Sequence, residues 1–348
     1  MTTALSTAPA PADCWYALAS SAEVGRHLFS LRALGAPVVL YRTEDGRAVA
    51  LEDRCAHRAF PLSAGTLDGD LVRCGLCGFG YDTDGQCLSV PTQPRVPFGA
   101  HVAAYPVQER NGLVWVWLGE PGRARLHRVP ELPWLTDDGW AGVGGTEEVA
   151  AGFLLLHENF ADVTQIPFVA PEIAPAALAT STPPLEVVVT ETTVELRREF
   201  PAAPLPGWQT ESLGPDVGDA TTVQGGFFLS PAVWADHWDA TYEGGSARLR
   251  FTQLVTPVDR GLSRLHWRVS RDFALVDPGV DARMHEMFRD YYARVRTAME
   301  TAQRVLDEDG PGPEVNVAAD VPALRVREIV LGMLAEEGVP VHPDHRST

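Results

Sequence analysis

Apolar positions in the first third of the chain come in short runs separated by turn formers. The runs Pro37–Tyr41, Ala48–Leu51, Leu71–Cys74, Tyr105–Gln108 and Leu113–Leu118 are broken by Glu44-Asp45-Gly46, Asp68-Gly69-Asp70 and Asp84-Gly85. Runs this short, bounded by Asp-Gly pairs, predict a small all-β domain over residues 13–120. Residues 1–12, rich in Ala, Pro and Thr, are expected to fray. Gly119-Glu120-Pro121-Gly122 then opens a linker into a second domain, 121–348. Strand-like segments follow at Leu185–Leu196, Gly226–Leu229, Ala247–Val255 and Ser263–Val269, after which the period changes. From Asp281 to about Leu306, the residues Met284, Met287, Phe288, Tyr291, Val295, Met299 and Val305 recur at helical spacing. This pattern predicts one long amphipathic helix packed on a sheet. Asp320 is placed to cap a last helix that opens with Pro322, runs to about Glu337 and stops at Gly338. The class is α+β.

Composition narrows the partners. The chain of 348 residues can bury two cores. Its net charge is −18 and all 28 of its basic residues are Arg, which argues against nucleic acid or an anionic membrane as the main partner. MTTALSTAPAPAD has neither a basic n-region nor an apolar h-region, and the apolar run Val149–Leu156 is too short to span a bilayer. Five Cys in such a chain make no disulfide framework, so a cytoplasmic protein with reduced thiols is expected. Cys14 and Cys87 are expected to be small buried apolar residues.

The other three Cys lie in two short hooks, Cys55-Ala56-His57 and Cys74-Gly75-Leu76-Cys77, separated by residues 58 to 73. Thiolates and imidazole in this spacing suit either zinc or an iron–sulfur cluster. The flanks add more. Arg58, Pro61-Leu62 and Gly65 follow the first hook, and Gly78-Phe79 with Tyr81-Asp82 follow the second. Together these resemble the cluster-binding loops of Rieske [2Fe–2S] proteins, in particular those of the ring-hydroxylating oxygenases and O-demethylases. The stretch from Tyr105-Pro106-Val107 to Leu118-Gly119 resembles the closing strands of the same domain.

The resemblance implies a Rieske domain followed by a helix-grip domain, an antiparallel sheet wrapped on a long helix. It also implies a [2Fe–2S] cluster at Cys55, His57, Cys74 and Cys77. Here the fourth ligand departs from the family, in which two Cys and two His hold the irons. With Cys77 in place of His, the set becomes three thiolates and one imidazole. The added negative charge lowers the expected reduction potential.

The second family signature is also altered. Leu156-His157-Glu158-Asn159-Phe160-Ala161-Asp162-Val163-Thr164-Gln165-Ile166-Pro167-Phe168-Val169-Ala170 resembles the segment that supplies two His to a mononuclear iron in Rieske oxygenases. Asn159 and Asp162 are present, but Gln165 and Ala170 stand at the His positions. The carboxylate ligand comes from the long helix, where Val295 or Arg296 occupies the slot and Asp290 is the nearest substitute. A mononuclear iron is therefore expected to be absent. His157, His237 and His266 are the imidazoles from which a different centre could be built.

Asp162 carries a further implication. In the family this Asp bridges a neighbour's Rieske His and an iron-site His of its own chain. In a homotrimer of this chain it would face Cys77, with no donor between two anionic groups. The expectation is a trimer or hexamer, homo- or hetero-oligomeric, with a mixed assembly favoured, reduced by a ferredoxin or reductase. The favoured function is a cluster-bearing electron-transfer or accessory subunit of an oxygenase acting on a small apolar or aromatic metabolite. Two alternatives remain. One is a pocket enzyme without oxygen chemistry (lyase, cyclase or redox isomerase), with Asp236, His237, Asp239 and Tyr242 as its polar groups; the candidate catalytic residues nearer the altered signature are Asp162, Asn159 and His157. The other is a binding protein with a structural metal.

Overall fold

The structure is a computed structural model that describes residues 9–175, 178, 182–214 and 217–340. Residues 1–8 of the expected frayed terminus lie outside the described residues, whereas Pro11 is buried. Ala12–Glu131 form one compact unit and the chain from Leu132 belongs to the other.

The first unit is built from short antiparallel strands. They are β1 (Trp15–Ser20), β2 (Phe29–Ala33), β3 (Ala36–Arg42), β4 (Ala48–Glu52), β5 (Thr66–Asp68), β6 (Leu71–Arg73), β7 (Gly80–Tyr81), β8 (Cys87–Ser89), β9 (Ala104–Tyr105), β10 (Val107–Arg110) and β11 (Leu113–Trp117). They form three sheets, β1-β11-β10, β2-β3-β4-β9 and β5-β6-β7-β8. Between β10 and β11, Asn111 and Gly112 both have positive φ, 55° and 71°. This is the geometry of a tight hairpin whose twist matches its strands. Val39, Tyr41, Leu51, Leu62, Val72 and Tyr81 close a core beneath the two cysteine hooks. Cys14 and Cys87 are buried, as their residue type implied.

The second unit contains β12 (Ala141–Val149), α1 (Phe153–Ala161), α2 (Ile166–Val169), β13 (Glu186–Val189), β14 (Val194–Ala203), α3 (Gly207–Leu213), β15 (Ala220–Ser230), β16 (Val233–Tyr242), β17 (Gly245–Asp259), β18 (Leu262–Arg271), α4 (Pro278–Asp309) and α5 (Val321–Glu336). Its seven strands form one antiparallel sheet in the order β12-β18-β17-β16-β15-β14-β13. Alternation along the strands puts Trp234, Trp238, Leu249, Phe251, Leu265 and Trp267 into one core with Met284, Phe288, Tyr292 and Val295 of α4. The 32-residue α4 starts three residues before the predicted Asp281, because Asp277 caps it by accepting from the backbone N–H of Gly279 and Val280.

Two sequence expectations need correction. Leu185–Leu196 is not one strand but a hairpin, in which Thr190 N donates to Thr193 O (3.0 Å) and the two Thr hydroxyls meet at 2.6 Å. Threonine's strand preference hid the turn made by its own side chains. Asp320 precedes α5 but does not cap it, since its carboxylate accepts from Val317 N at 2.7 Å instead. Among the described residues, no helix is long and apolar enough to cross a membrane.

Candidate metal centre and the altered second site

Cys55 follows β4, while Cys74 and Cys77 sit in the turn between β6 and β7. The two hooks touch through backbone. A Cβ on Gly65 would lie 2.0 Å from Arg73 O, and one on Gly75 would lie 2.5 Å from Ala64 O. Only glycine permits that approach. The second hook is tied by Cys74 N donating to Phe79 O and Gly78 N donating to Cys74 O, both 2.9 Å. Cys55 N donates to Phe60 O at 2.9 Å and fixes the first.

The sulfurs of Cys55, Cys74 and Cys77 all lie within 4.8 Å of one another, and those of Cys55 and Cys77 are 3.6 Å apart. Cys55 and Cys74 are buried and Cys77 is half-buried. The Tyr81 hydroxyl reaches Cys55 Sγ at 3.2 Å and accepts from Ala56 N at 3.1 Å. Burial opposes ionisation of Cys55, but the Tyr81 hydroxyl and the backbone N–H groups of His57 and Arg58 outweigh it and hold the thiol below its ordinary range. Burial and the adjacent Cys74 and Cys55 sulfurs push Cys77 up to about 12. The two thiols are thus shifted in opposite directions, Cys55 toward ionisation and Cys77 away from it.

His57 is exposed, with its ring stacked on Phe79 (centroids 5.0 Å apart, 12° between planes) and outside the three-sulfur group. A four-coordinate zinc gathers all its donors around one point, whereas a two-iron core spreads them over two metals. Three gathered sulfurs with imidazole at the rim form a soft donor set that serves either.

The second signature carries different side chains at its two His positions. Asp162 ends α1, and its Oδ1 accepts from Thr164 N at 2.9 Å and from the Thr164 hydroxyl. Asn159, Asp162, Gln165, Met299, Ala323 and Arg327 help to line a cleft of about 470 Å³. Arg327 is held there by Glu158 at 2.7 Å. On α4, Tyr291, Tyr292 and Val295 are buried. Asp290 is exposed and bound to Arg289, and Arg296 pairs with Glu147 at 2.6 Å. Burial raises the Tyr291 phenol well above its ordinary value, opposed by a hydrogen bond with Gln165. An amide and a methyl group stand at the imidazole positions, and an isopropyl group or a guanidinium at the carboxylate slot. This donor set does not fit a two-His, one-carboxylate iron.

The three candidate imidazoles do not converge. His157 is fully buried, with Nε2 2.8 Å from Pro231 O and rings of Phe153 and Phe228 edge-on. Burial drives it down to about 4 and keeps the imidazole neutral. His237 stacks against Phe227 on the sheet face opposite Asp236, and His266 Nδ1 meets the Thr146 hydroxyl at 2.8 Å.

The group Asp236, His237, Asp239 and Tyr242 also separates. Asp239 is paired with Arg250 at 2.5 Å, and Tyr242 packs near Leu205 and Ala240. Only Asp236 enters the core layer. It accepts from Trp234 Nε1 at 2.7 Å and from Gln253 Nε2 at 3.2 Å, and Gln253 also reaches the Tyr292 hydroxyl at 3.0 Å. Burial pushes its carboxyl from 3.8 to about 7, against the two hydrogen bonds. Gln253, Tyr292 and Trp234 were not anticipated. The signal was present in Trp234-x-Asp236-x-Trp238, where period-two alternation puts the acid on the face of two tryptophans.

Comparison with known proteins agrees with both halves. Residues 14–106 match the Rieske [2Fe-2S] domain, and residues 149–336 match the vanillate O-demethylase oxygenase C-terminal domain. The toluene-4-sulfonate monooxygenase system iron-sulfur subunit of Comamonas testosteroni is 30% identical, covering 88% of this chain and 92% of the relative. The dicamba O-demethylase oxygenase component of Stenotrophomonas maltophilia is 26% identical over 91% of this chain and 96% of its own. The crystal structure of dicamba monooxygenase bound to 3,6 dichlorosalicylic acid superposes with a TM-score of 0.85 at 24% identity, covering 94% of this chain and 98% of that one, and so shares the fold. With both domains matched in order along the chain, this protein belongs to the Rieske oxygenase family, with a C-terminal domain of the vanillate O-demethylase type.

Proposed function

We propose that this chain is an electron-transfer subunit of a hetero-oligomeric Rieske oxygenase, with a [2Fe–2S] cluster and no mononuclear iron of its own. Cys55, His57, Cys74 and Cys77 would hold the cluster, which supplies one-electron redox chemistry when bound. One contrast carries the reading. The cluster loops keep four metal-binding side chains, whereas Gln165 and Ala170 have replaced both imidazoles of the second site. The chain itself buries the sulfurs of Cys55 and Cys74, donates from Tyr81 to Cys55 and leaves His57 at the surface, open to a redox partner.

The partner is a homologous subunit that retains its iron. Cys77 has no N–H to offer a neighbour's carboxylate, whereas a partner's Rieske His would satisfy Asp162. The assembly is therefore a mixed trimer or hexamer, reduced by a ferredoxin or reductase and working on a small apolar or aromatic metabolite. Anaerobic purification should give about two irons and two sulfides per chain. The chain alone, given reductase and ferrous iron, should make no oxygen-dependent product, and co-expression with a homologous subunit should yield a mixed oligomer. Stoichiometric zinc without sulfide, oxygenation by this chain alone, or a homotrimer with Asp162 bonded to a neighbour's Cys77 would each overturn the reading.

One observation favours a second reading, a pocket enzyme without oxygen chemistry. Asp236 is a buried carboxyl poised near neutral pH beside Gln253 and Tyr292, as suits a proton-transferring group. Turnover by iron-depleted protein, lost in Asp236→Asn, would select it.

A further inference from the structure

Cys77 puts a third thiol where a Rieske centre carries an imidazole, and the fold brings it against another sulfur. Cys55 Sγ and Cys77 Sγ lie 3.6 Å apart, in contact. They belong to different hooks, which the close approaches at Gly65 and Gly75 hold together through backbone. Cys55 is 3% exposed, whereas Cys77 is half-buried and follows Gly75 and Leu76, both exposed at the tip of the turn. A small reagent therefore reaches Cys77 and not Cys55. Cys14 and Cys87 are buried and lie outside the three-sulfur group.

Two thiols in contact, one accessible and the other behind it, are arranged for thiol–disulfide exchange. A disulfide needs its sulfurs about 2.0 Å apart, so side-chain rotation that brings these two about 1.5 Å closer makes the bond.

We propose that Cys55 and Cys77 form a reversible disulfide in the metal-free chain, made by exchange with a small-molecule disulfide, which locks the hooks against metal until a thiol reduces it. Cys77 Sγ first attacks the small disulfide. That S–S bond breaks, one half bonds to Cys77, and the other leaves as a thiol with the Cys77 proton. Cys55 Sγ then attacks Cys77 Sγ and expels the second half, which leaves as a thiol with the Cys55 proton. Two electrons pass from the protein to the small disulfide, and no other reactant is consumed. Because the Cys77 thiol resists ionisation and that of Cys55 is held toward it, the first exchange is slow and the second fast. The bridge takes two of the three gathered sulfurs out of the donor set. Cys74 and His57 remain, too few for zinc or for two irons. The bridge depends on sulfur geometry alone, so it stands apart from the electron-transfer reading and from the identity of the metal.

The test uses the full-length chain, stripped of metal by chelation under reduction and then incubated anaerobically with oxidised glutathione. It should lose two of its five thiols, counted after denaturation. Tryptic cleavage after Arg54, Arg58, Arg73 and Arg95 puts Cys55 and Cys77 on separate peptides, 55–58 and 74–95. Mass spectrometry should find these two joined, with fragmentation between Leu76 and Cys77 assigning the link to Cys77. Cys74→Ser should keep the link, and Cys77→Ser should slow loss of the Cys55 thiol by about tenfold or more. The oxidised chain should take up added zinc about tenfold less well than the reduced chain, and dithiothreitol should restore uptake. An unfolded chain would instead favour its nearest pair, Cys74 with Cys77, whose link stays inside one peptide. That product, a link from Cys55 to Cys74 or Cys87, or glutathione left on Cys77 would overturn the proposal. So would an unchanged thiol count, an unslowed Cys77→Ser, or equal zinc uptake before and after oxidation.

Discussion

The cysteine hooks of the first unit and the Asn159–Ala170 segment of the second have responded to substitution in opposite ways. In the hooks, the position that departs from the family carries Cys77, another metal-binding group, and the glycines that let the loops touch remain. In the segment, Gln165 and Ala170 bind metal poorly, and the facing helix offers Tyr291, Tyr292 and Val295. A loop whose backbone is shaped around sulfur accepts a change of ligand. Around the second site's corresponding positions stand packing and buried polar groups.

The largest effect is expected in the hooks. Cys74→Ser removes a buried sulfur from the three-membered group and should eliminate nearly all bound iron and sulfide, read by metal analysis and visible absorption. By contrast, Gln165→His with Ala170→His should leave oxygen-dependent turnover at zero, because α4 still presents no carboxylate there. Full iron retention in the first variant would erase the difference between the two regions.

Next in size is the acid that now occupies the second unit's core. Below about pH 4 the Asp236 carboxyl is protonated in both folded and unfolded chains. Between there and its folded value of about 7 only the unfolded chain ionises, so stability falls as pH rises across that window. The integrated loss is on the order of 4 kcal/mol. Asp236→Asn keeps an acceptor for Trp234, and Gln253 can turn its amide to match. The variant should equal the native chain near pH 4 and be several degrees more stable at pH 8, measured by thermal denaturation. A native chain whose stability is flat from pH 4 to 8 would show that Asp236 is not held neutral.

What could be read from the sequence follows the same division. The hooks were legible because their metal-binding side chains lie within 23 positions, Cys55 to Cys77, and their flanks are family-specific. The long helix was legible because Met284, Phe288 and Val295 repeat with a helical period. Strands of two or three residues such as β5, β7 and β8 carry too few positions to show alternation, and the Thr190–Thr193 turn was hidden in a strand-forming composition. The burial of Arg198 and Gln224, 2% and 1% exposed, was invisible because a charged or amide side chain in a strand reads as solvent-facing. Only the burial of Val194, Leu196 and Phe200 on the same face shows otherwise.

Cys77→His tests the exchanged ligand directly. Replacing a thiolate by neutral imidazole removes one negative charge from the cluster and should raise its potential. Clusters with two His span about −150 to +300 mV, and four-Cys plant-type clusters lie near −400 mV. A rise of about 100 mV corresponds to about 2.3 kcal/mol in a one-electron couple. Redox titration followed by electron paramagnetic resonance would measure it. An unchanged potential would mean that Cys77 is not a ligand.

The smallest effect concerns Tyr81, which belongs to the loop's frame and not to its ligands. Ala56 N–H donates to its oxygen at 3.1 Å, and its hydroxyl lies 3.2 Å from Cys55 Sγ. Burial first, and the Cys55 sulfur next, hold the phenol well above its ordinary value, so it stays protonated and donates to the sulfur. A hydrogen bond to a thiolate stabilises the reduced, more negative cluster more than the oxidised one, and therefore raises the potential. Tyr81→Phe keeps the ring in the core and removes only that bond. At about 1 kcal/mol for a hydrogen bond, the potential should fall by about 40 mV with iron content unchanged. Loss of the cluster would make Tyr81 a structural requirement of the hooks. An unmoved potential would mean that Cys55 is shielded from the redox change, with the electron residing on the iron held by His57 and Cys77. That would make the exchanged ligand, and not the frame, the main control of the potential.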